Sequence, residues 1–239
     1  MEALMNVQAP LRYAARVARV DSLSPSVVRL RMHAPKSYLW SAGQHVAVAS
    51  QEHGGNISYY SIATPPLSSA PGEFDLVVGG GSTVFPVGTE VGHQVWLHAA
   101  EGELPLQRLR DAKKVTMICM GTGVAPMRAL VLELLKDRES VPCLTLLQGA
   151  RNVEDCLFFD EFTSLLPELN YLPVISGNGP SLGEASTHLR RGRVQEHLPN
   201  LDLEQVEFCV CGSSLMVEQV TDYLLEQGVK SESVFTEGY

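Results

Sequence analysis

The chain has 239 residues, enough for two domains of ordinary size, each with its own core. It is 45% hydrophobic and 19% charged, a globular balance, and its net charge of −9 argues against nucleic-acid or anionic-membrane partners, which need basic surface. No apolar run reaches membrane-span length, and the start Met1-Glu2-Ala3-Leu4-Met5-Asn6 lacks the basic and apolar regions of a signal peptide.

The first half reads as antiparallel β structure. Arg12 to Val20 alternates loosely and Val27 to Met32 clearly. Val46–Ala49, Phe74–Val78 and Val95–His98 are further short strands, and Ser58 to Pro65 contains an aromatic one. Clusters such as His53-Gly54-Gly55-Asn56 and Pro65 to Gly72 separate them, so a small barrel or sandwich is expected. Gln107 to Lys113 is a charged stretch between two regimes.

The second half changes period. Lys114–Met120 is a continuous apolar strand, and Pro126–Arg138 has helical spacing with Leu130 and Leu134 on one face. Pro142–Gln148 reads as strand, Val153–Leu166 as helix, Tyr171–Ile175 as strand and Val194–Leu198 as a short helix. Val206–Cys211 is a fourth strand, Ser214–Gln227 a helix and Ser231–Phe235 a last strand. Strands alternating with helices imply a parallel sheet with right-handed crossovers.

The cysteines are Cys119, Cys143, Cys156, Cys209 and Cys211, four of them in or beside apolar segments. An odd number without a secretion signal points to a reducing, cytoplasmic setting. Cys209 and Cys211 are expected to face opposite ways on their strand. The spacing offers no ferredoxin-like set of iron–sulfur ligands, and no metal site is expected.

Three segments carry chemical meaning. Gly121-Thr122-Gly123-Val124-Ala125-Pro126 follows a buried strand and opens a helix. Its glycines allow a tight turn, Pro126 is tolerated in the first helical turn, and free N–H groups at the helix start favour a phosphate. The third glycine of the full dinucleotide fingerprint is missing, so an ordinary strand–helix turn is the competing reading. Cys211-Gly212-Ser213-Ser214-Leu215-Met216 repeats the strand, glycine and helix pattern, where a core cysteine before a turn is the plain alternative. Gly79-Gly80-Gly81-Ser82-Thr83 follows a strand and could form an anion nest, or simply a hairpin loop, since Pro86 and Gly88 oppose a following helix.

Taken in order, Tyr60-Ser61-Ile62-Ala63-Thr64, Gly121 to Pro126, Cys211 to Met216 and the terminal Glu237-Gly238-Tyr239 resemble the flavin- and pyridine-nucleotide-binding reductases of the ferredoxin–NADP reductase family. The resemblance runs from about Tyr13 to Tyr239. It implies a flavin-binding antiparallel β-barrel over residues 10–108 and an NAD(P)H-binding, doubly wound parallel α/β domain over residues 112–239.

The resemblance also implies roles. Tyr60, Ser61, Ile62, Ala63 and Thr64 would contact the flavin, with Gly81, Ser82 and Thr83 on its phosphate. Gly121, Thr122, Gly123, Pro126, Arg151, Ser176, Gly212 and Met216 would hold the dinucleotide. Cys211 would lie beside the nicotinamide, Ser61 near the flavin nitrogen that accepts hydride, and Glu237 would relay a proton through Ser61. Tyr239 would stack on the flavin and yield to the nicotinamide. Three positions depart from the pattern: Ser58 replaces an arginine that meets flavin phosphate, Ser213 replaces a proline, and the turn after Glu101 lacks its proline and aromatic residue.

The implied activity is hydride transfer from NAD(P)H to FAD, with FMN possible, and onward electron transfer to a separate ferredoxin, oxygenase or free flavin. Ser176-Gly177-Asn178-Gly179 carries no arginine for a 2′-phosphate, which favours NADH over NADPH. Two other readings stay open: a non-catalytic subunit that keeps the fold with weak flavin binding, and an α/β enzyme for another phosphate ligand.

Overall fold

A computed structural model describes residues 13–53, 55–66, 70–102, 104–136, 142–177 and 189–238. The first six strands are β1 (Tyr13–Ser24), β2 (Val27–His33), β3 (His45–Ala49), β4 (Ile57–Ser61), β5 (Glu73–Gly79) and β6 (Gln94–Leu97). They form an antiparallel sheet in the order β4-β3-β6-β1-β2-β5. A bridge between Ile62 and Leu76 joins the extension of β4 to β5 and closes the sheet into a barrel. Alternate residues point inward, so Val17, Leu30, Met32, Val46, Val48, Phe74 and Leu76 fill its interior.

Helix α1 (Leu106–Asp111) occupies the charged stretch that the sequence left without structure. Then come β7 (Lys114–Met120), α2 (Val124–Leu134), β8 (Cys143–Ala150), α3 (Phe159–Thr163), β9 (Leu169–Ile175), β10 (Arg190–Arg191), α4 (Val194–His197), β11 (Val206–Gly212), α5 (Ser214–Glu226) and β12 (Val234–Gly238). The strands pair in parallel in the order β10-β9-β8-β7-β11-β12. α2 and α3 cover one face, packing on Met117, Cys119, Leu146 and Cys209, while α4 and α5 cover the other, packing on Ile118, Leu147, Phe208 and Val210. Among the described residues, no helix is long and apolar enough to cross a membrane.

Chain order reverses between β7 and β11, which makes a crevice beyond the carboxyl ends of these strands. Open α/β sheets bind ligands at such a switch point. Helix α2 leaves this crevice, and ten of its eleven residues are buried, as a helix sandwiched between two layers requires. It lies between the sheet and the barrel, so Ala42, Ala63 and Val77 of the barrel join the core of the α/β layer.

Three sequence expectations need correction, and one strand was not expected. The helix expected over Val153–Leu166 is a 3-10 turn at Val153–Asp155 followed by the five-residue α3. Phe158, with φ of 61°, separates them; its left-handed backbone breaks the helical hydrogen-bond run. The last strand begins at Val234, because Ser231–Ser233 forms a 3-10 turn. Cys209 and Cys211 share one face and Val210 takes the other, as residues two apart on a strand must. The two-residue β10 had no sequence signal.

Candidate active site

Strand registers assemble the first cluster. β4 runs antiparallel to β3 and sets Ser61 opposite His45. β12 runs parallel to β11 and sets Glu237 beside Cys211. The two strand ends meet across the molecule. Ser61 Oγ donates to Glu237 Oε2 at 3.2 Å, and His45 Nδ1 lies 3.2 Å from Glu237 Oε1. Cys211 Sγ is 3.8 Å from Glu237 Oε2, within reach for a thiol donor.

Electrostatics assign different behaviour to these groups. The hydrogen bond that His45 donates to the Glu237 carboxylate raises the pKa of His45 above its ordinary value, against partial burial. Burial, reinforced by the Glu237 carboxylate, pushes the Cys211 thiol well up. Cys211 is therefore a neutral wall and weak donor at physiological pH, not a nucleophile.

The cluster opens on a cavity of about 560 Å³, which is ligand-sized. Tyr59, Tyr60 and Ser61 line it from the barrel, Val77 and Gly79 from β5, Thr122 and Ala125 from the start of α2, and Glu237 and Gly238 from β12. Tyr60 is fixed at both ends. Its hydroxyl meets Ser82 Oγ at 2.6 Å, and its ring packs edge-on against Phe85 at 5.4 Å between centroids. Ser82 Oγ also accepts from Phe85 N at 2.8 Å.

Ile62, Ala63 and Thr64 play a different part from Tyr60 and Ser61. Their side chains are buried, and their backbone is clamped. Ile62 N donates to Gln44 O and Ala63 N to Asp75 O, both at 2.8 Å, and Trp40 Nε1 donates to Thr64 O at 2.8 Å. Arg128 of α2 closes the arrangement by donating to Ala63 O at 2.7 Å. The same guanidinium makes two 2.9 Å bonds to Glu161, stands 3.6 Å from Asp75 and lies 4.8 Å from the Phe158 ring centroid. Asp75, almost fully buried, is held in a fork by Arg31.

The second cluster lies across the turn that ends β7. Gly121–Gly123 form one 3-10 turn, with Gly121 at φ of 54°, before α2 begins. The backbone here passes close to the end of β11: a Cβ on Gly123 would stand 2.4 Å from the Cys211 carbonyl oxygen. On the far side of this turn a groove of about 770 Å³ opens. Met120, Gly149, Arg151, Ser176, Gly177, Arg193, Ser213 and Met216 line it. Ser213 caps α5 by accepting from Met216 N at 3.4 Å, so the serine that replaces the expected proline still organises the helix start.

Thr122 thus faces the first cavity, while Arg151, Ser176 and Met216 face the groove. Gly212 lies on the backbone between them, and Pro126 is buried in the first turn of α2. Gly81, Ser82 and Thr83 form a loop beside Tyr60, tied to Asn56 by a 3.4 Å bond from its side-chain nitrogen to Thr83 O. Tyr239, Asn178 and Gly179 lie outside the described residues. His45 and Arg128 had no role in the sequence reading. An isolated histidine after Gly43-Gln44 and an arginine inside an apolar helix give no local signal of what they meet across the fold.

This two-layer arrangement, an antiparallel barrel leaning on a doubly wound parallel sheet, is the fold of ferredoxin–NADP reductase-like proteins. Residues 117–222 match the family model of the oxidoreductase NAD-binding domain, which lies wholly within the parallel sheet and its helices. The chain shares this two-domain fold with ferredoxin–NADP+ reductases. A ferredoxin–NADP+ reductase from Neisseria gonorrhoeae superposes with a TM-score of 0.80 at 21% identity, covering 95% of this chain and 98% of that one. The phenol hydroxylase P5 protein of Acinetobacter pittii is 22% identical over 242 residues, covering 95% of this chain and 65% of the relative. NADH-cytochrome b5 reductase 2 of Neosartorya fischeri is 31% identical over 165 residues, covering 63% of this chain and 49% of the relative. The chain thus spans about half to two thirds of the length of these two relatives.

Proposed function

We propose that this protein is an NAD(P)H-dependent flavin oxidoreductase, built as a flavin barrel over residues 10–108 and a dinucleotide domain over residues 112–239. The observation that carries the reading is the meeting of Ser61, His45 and Glu237 at a cavity bordered by the Gly121–Gly123 turn. The donor set fits a flat, polar-edged ring: aromatic Tyr59 and Tyr60, the Ser61 hydroxyl and apolar Val77. FAD fits this ring site, and FMN fits it equally. A bound flavin supplies the redox chemistry by taking hydride from NAD(P)H and passing electrons on. Similar proteins support the reading, since one is an NADH-cytochrome b5 reductase and one a reductase with bound FAD and NADP.

The chain's own residues then position the reactants and manage a proton. Ser61 presents a hydroxyl whose acceptor is the Glu237 carboxylate. His45, on the other carboxylate oxygen, supplies or drains that proton. Cys211 walls the nicotinamide side as a neutral thiol, and Tyr239 stacks over the ring in this reading. Glycines at 121 and 123 let backbone approach the dinucleotide, and Arg151, Ser176 and Met216 line its groove. Ser176-Gly177 itself carries no cation, which favours NADH; the arginines nearby are Arg191, which donates to Gly177 O at 2.9 Å, and Arg151 and Arg193 on the groove wall. The electron acceptor is a separate redox protein, such as a ferredoxin or oxygenase, or free flavin. Five free cysteines suit a reducing, cytoplasmic setting.

An absorption spectrum with added FAD, followed by anaerobic NADH, tests this directly. Uptake of flavin and bleaching by NADH is the expected result. Protein that takes up no flavin and oxidises no NADH would instead be a non-catalytic subunit with the reductase fold. Equal catalytic efficiency with NADPH would remove the NADH preference.

A further inference from the structure

The cavity beside Tyr60 carries the wrong electrostatics for a phosphate. Among the described residues that line it there is no lysine or arginine. Its titratable groups are two tyrosines, His45 and Glu237, and the last two are paired with each other. Ser58, two positions before Tyr60 and on the same face of β4, is neutral. The protein as a whole carries −9, so a flavin phosphate approaches an unfavourable field.

The glycine loop after β5 adds no cation, and its Gly80 N–H and Ser82 hydroxyl are already engaged inside the protein. Gly80 N donates to Ser26 O at 2.8 Å, and Phe85 N donates to Ser82 Oγ at 2.8 Å. The Ser82 hydroxyl is also shared with Tyr60 at 2.6 Å. The amino end of α2 faces the cavity through Thr122 and Ala125, but it carries only about half a positive charge. The Val124 N–H there bonds back to Gly121 and Thr122.

We propose that this site recognises the ring and polyol of a flavin but not its phosphate, so that riboflavin, FMN and FAD enter and leave as exchangeable substrates. The inference rests on the flavin-reductase reading above and deepens it by naming the electron acceptor as free flavin. Each turnover then consumes one NAD(P)H, one oxidised flavin and one proton, and releases NAD(P)+ and the two-electron-reduced flavin. Hydride supplies both electrons, and the Ser61–Glu237–His45 chain is the route for the proton.

The test is fluorescence titration of the full chain with riboflavin, FMN and FAD at low and high salt. The three dissociation constants are expected to agree within about tenfold, the factor that a single charge-assisted pair would supply. Added salt is expected not to weaken FMN or FAD, because no cation–phosphate pair exists to be screened. FMN or FAD binding more than about tenfold tighter than riboflavin, and weakening with salt, overturns the inference while leaving the reductase reading intact. Failure of all three flavins to bind overturns both. Ser58→Arg provides the internal control: it is expected to tighten FMN and FAD by about tenfold and leave riboflavin unchanged. Equal tightening of riboflavin overturns the claim that phosphate recognition is what this site lacks.

Discussion

The Ser61 hydroxyl donates to the Glu237 carboxylate at 3.2 Å, although 176 residues separate the two. Neither strand end could hold the other's partner alone. A hydroxyl backed by a carboxylate is a means of moving a proton, the role the proposed function gives this pair. Ser61→Ala and Glu237→Gln are expected to slow flavin reduction by roughly 10²-fold, the lower end for a positioned acid–base group. Both side chains are only partly buried, so the fold should survive. Rapid mixing with NADH reads the rate, and an unchanged rate in both variants would remove the proton role.

His45 makes the same carboxylate pH-sensitive. Its pKa is raised above 6.5 in the folded protein, chiefly by the bond it donates to the Glu237 carboxylate. A raised folded pKa means that protonated His45 stabilises the fold below the unfolded value, and that this contribution is lost as pH rises through the folded value. The melting-temperature gap between the native chain and His45→Gln should therefore be widest below pH 6.5 and close at alkaline pH. A gap that widens with rising pH would contradict the assignment.

Arg128 ties three parts of the molecule together. It bonds the Ala63 carbonyl of the barrel, the Glu161 carboxylate of α3 and the face of Phe158. Arg128→Met would leave those acceptors unpartnered. Breaking a buried pair costs about 3–5 kcal/mol, and ~3 kcal/mol is expected here because water can still reach Glu161. Urea unfolding measures it. A loss below about 1 kcal/mol would mean the contacts are those of a surface pair.

Gly123 is the tightest point of the turn. A Cβ there would meet the Cys211 carbonyl oxygen at 2.4 Å, and that oxygen belongs to the backbone of β11. Gly123→Ala should cost about 1–3 kcal/mol through overpacking and weaken NADH binding as the turn shifts. Calorimetric titration with NAD+ provides the check, and an unchanged affinity would place the dinucleotide away from this turn.

Much of this arrangement was readable in the amino acids because burial on both faces leaves continuous apolar runs. Lys114–Met120 and Val206–Gly212 declare themselves as central strands in that way. Val153–Leu166 misled because its apolar spacing is helical throughout, while the break is a single backbone angle at Phe158, stabilised by Arg128 from a distant helix. α1 was hidden because only Leu109 of its six residues is buried, so it shows little apolar period. Ser61 and Glu237 stood out through their motifs. His45 did not, because its importance comes from a partner on a strand that the sequence cannot place beside it.

The turn at Gly121–Gly123 has one more consequence. Met120 faces the groove and Thr122 faces the cavity, so three residues form the partition between two chambers. A partition this thin has a single conformation to share. Whatever occupies one chamber sets the wall for the other, and thermodynamic reciprocity requires the influence to run equally both ways. If flavin and dinucleotide occupy the two chambers as proposed, each acts as the other's effector across a wall no longer than one helical turn.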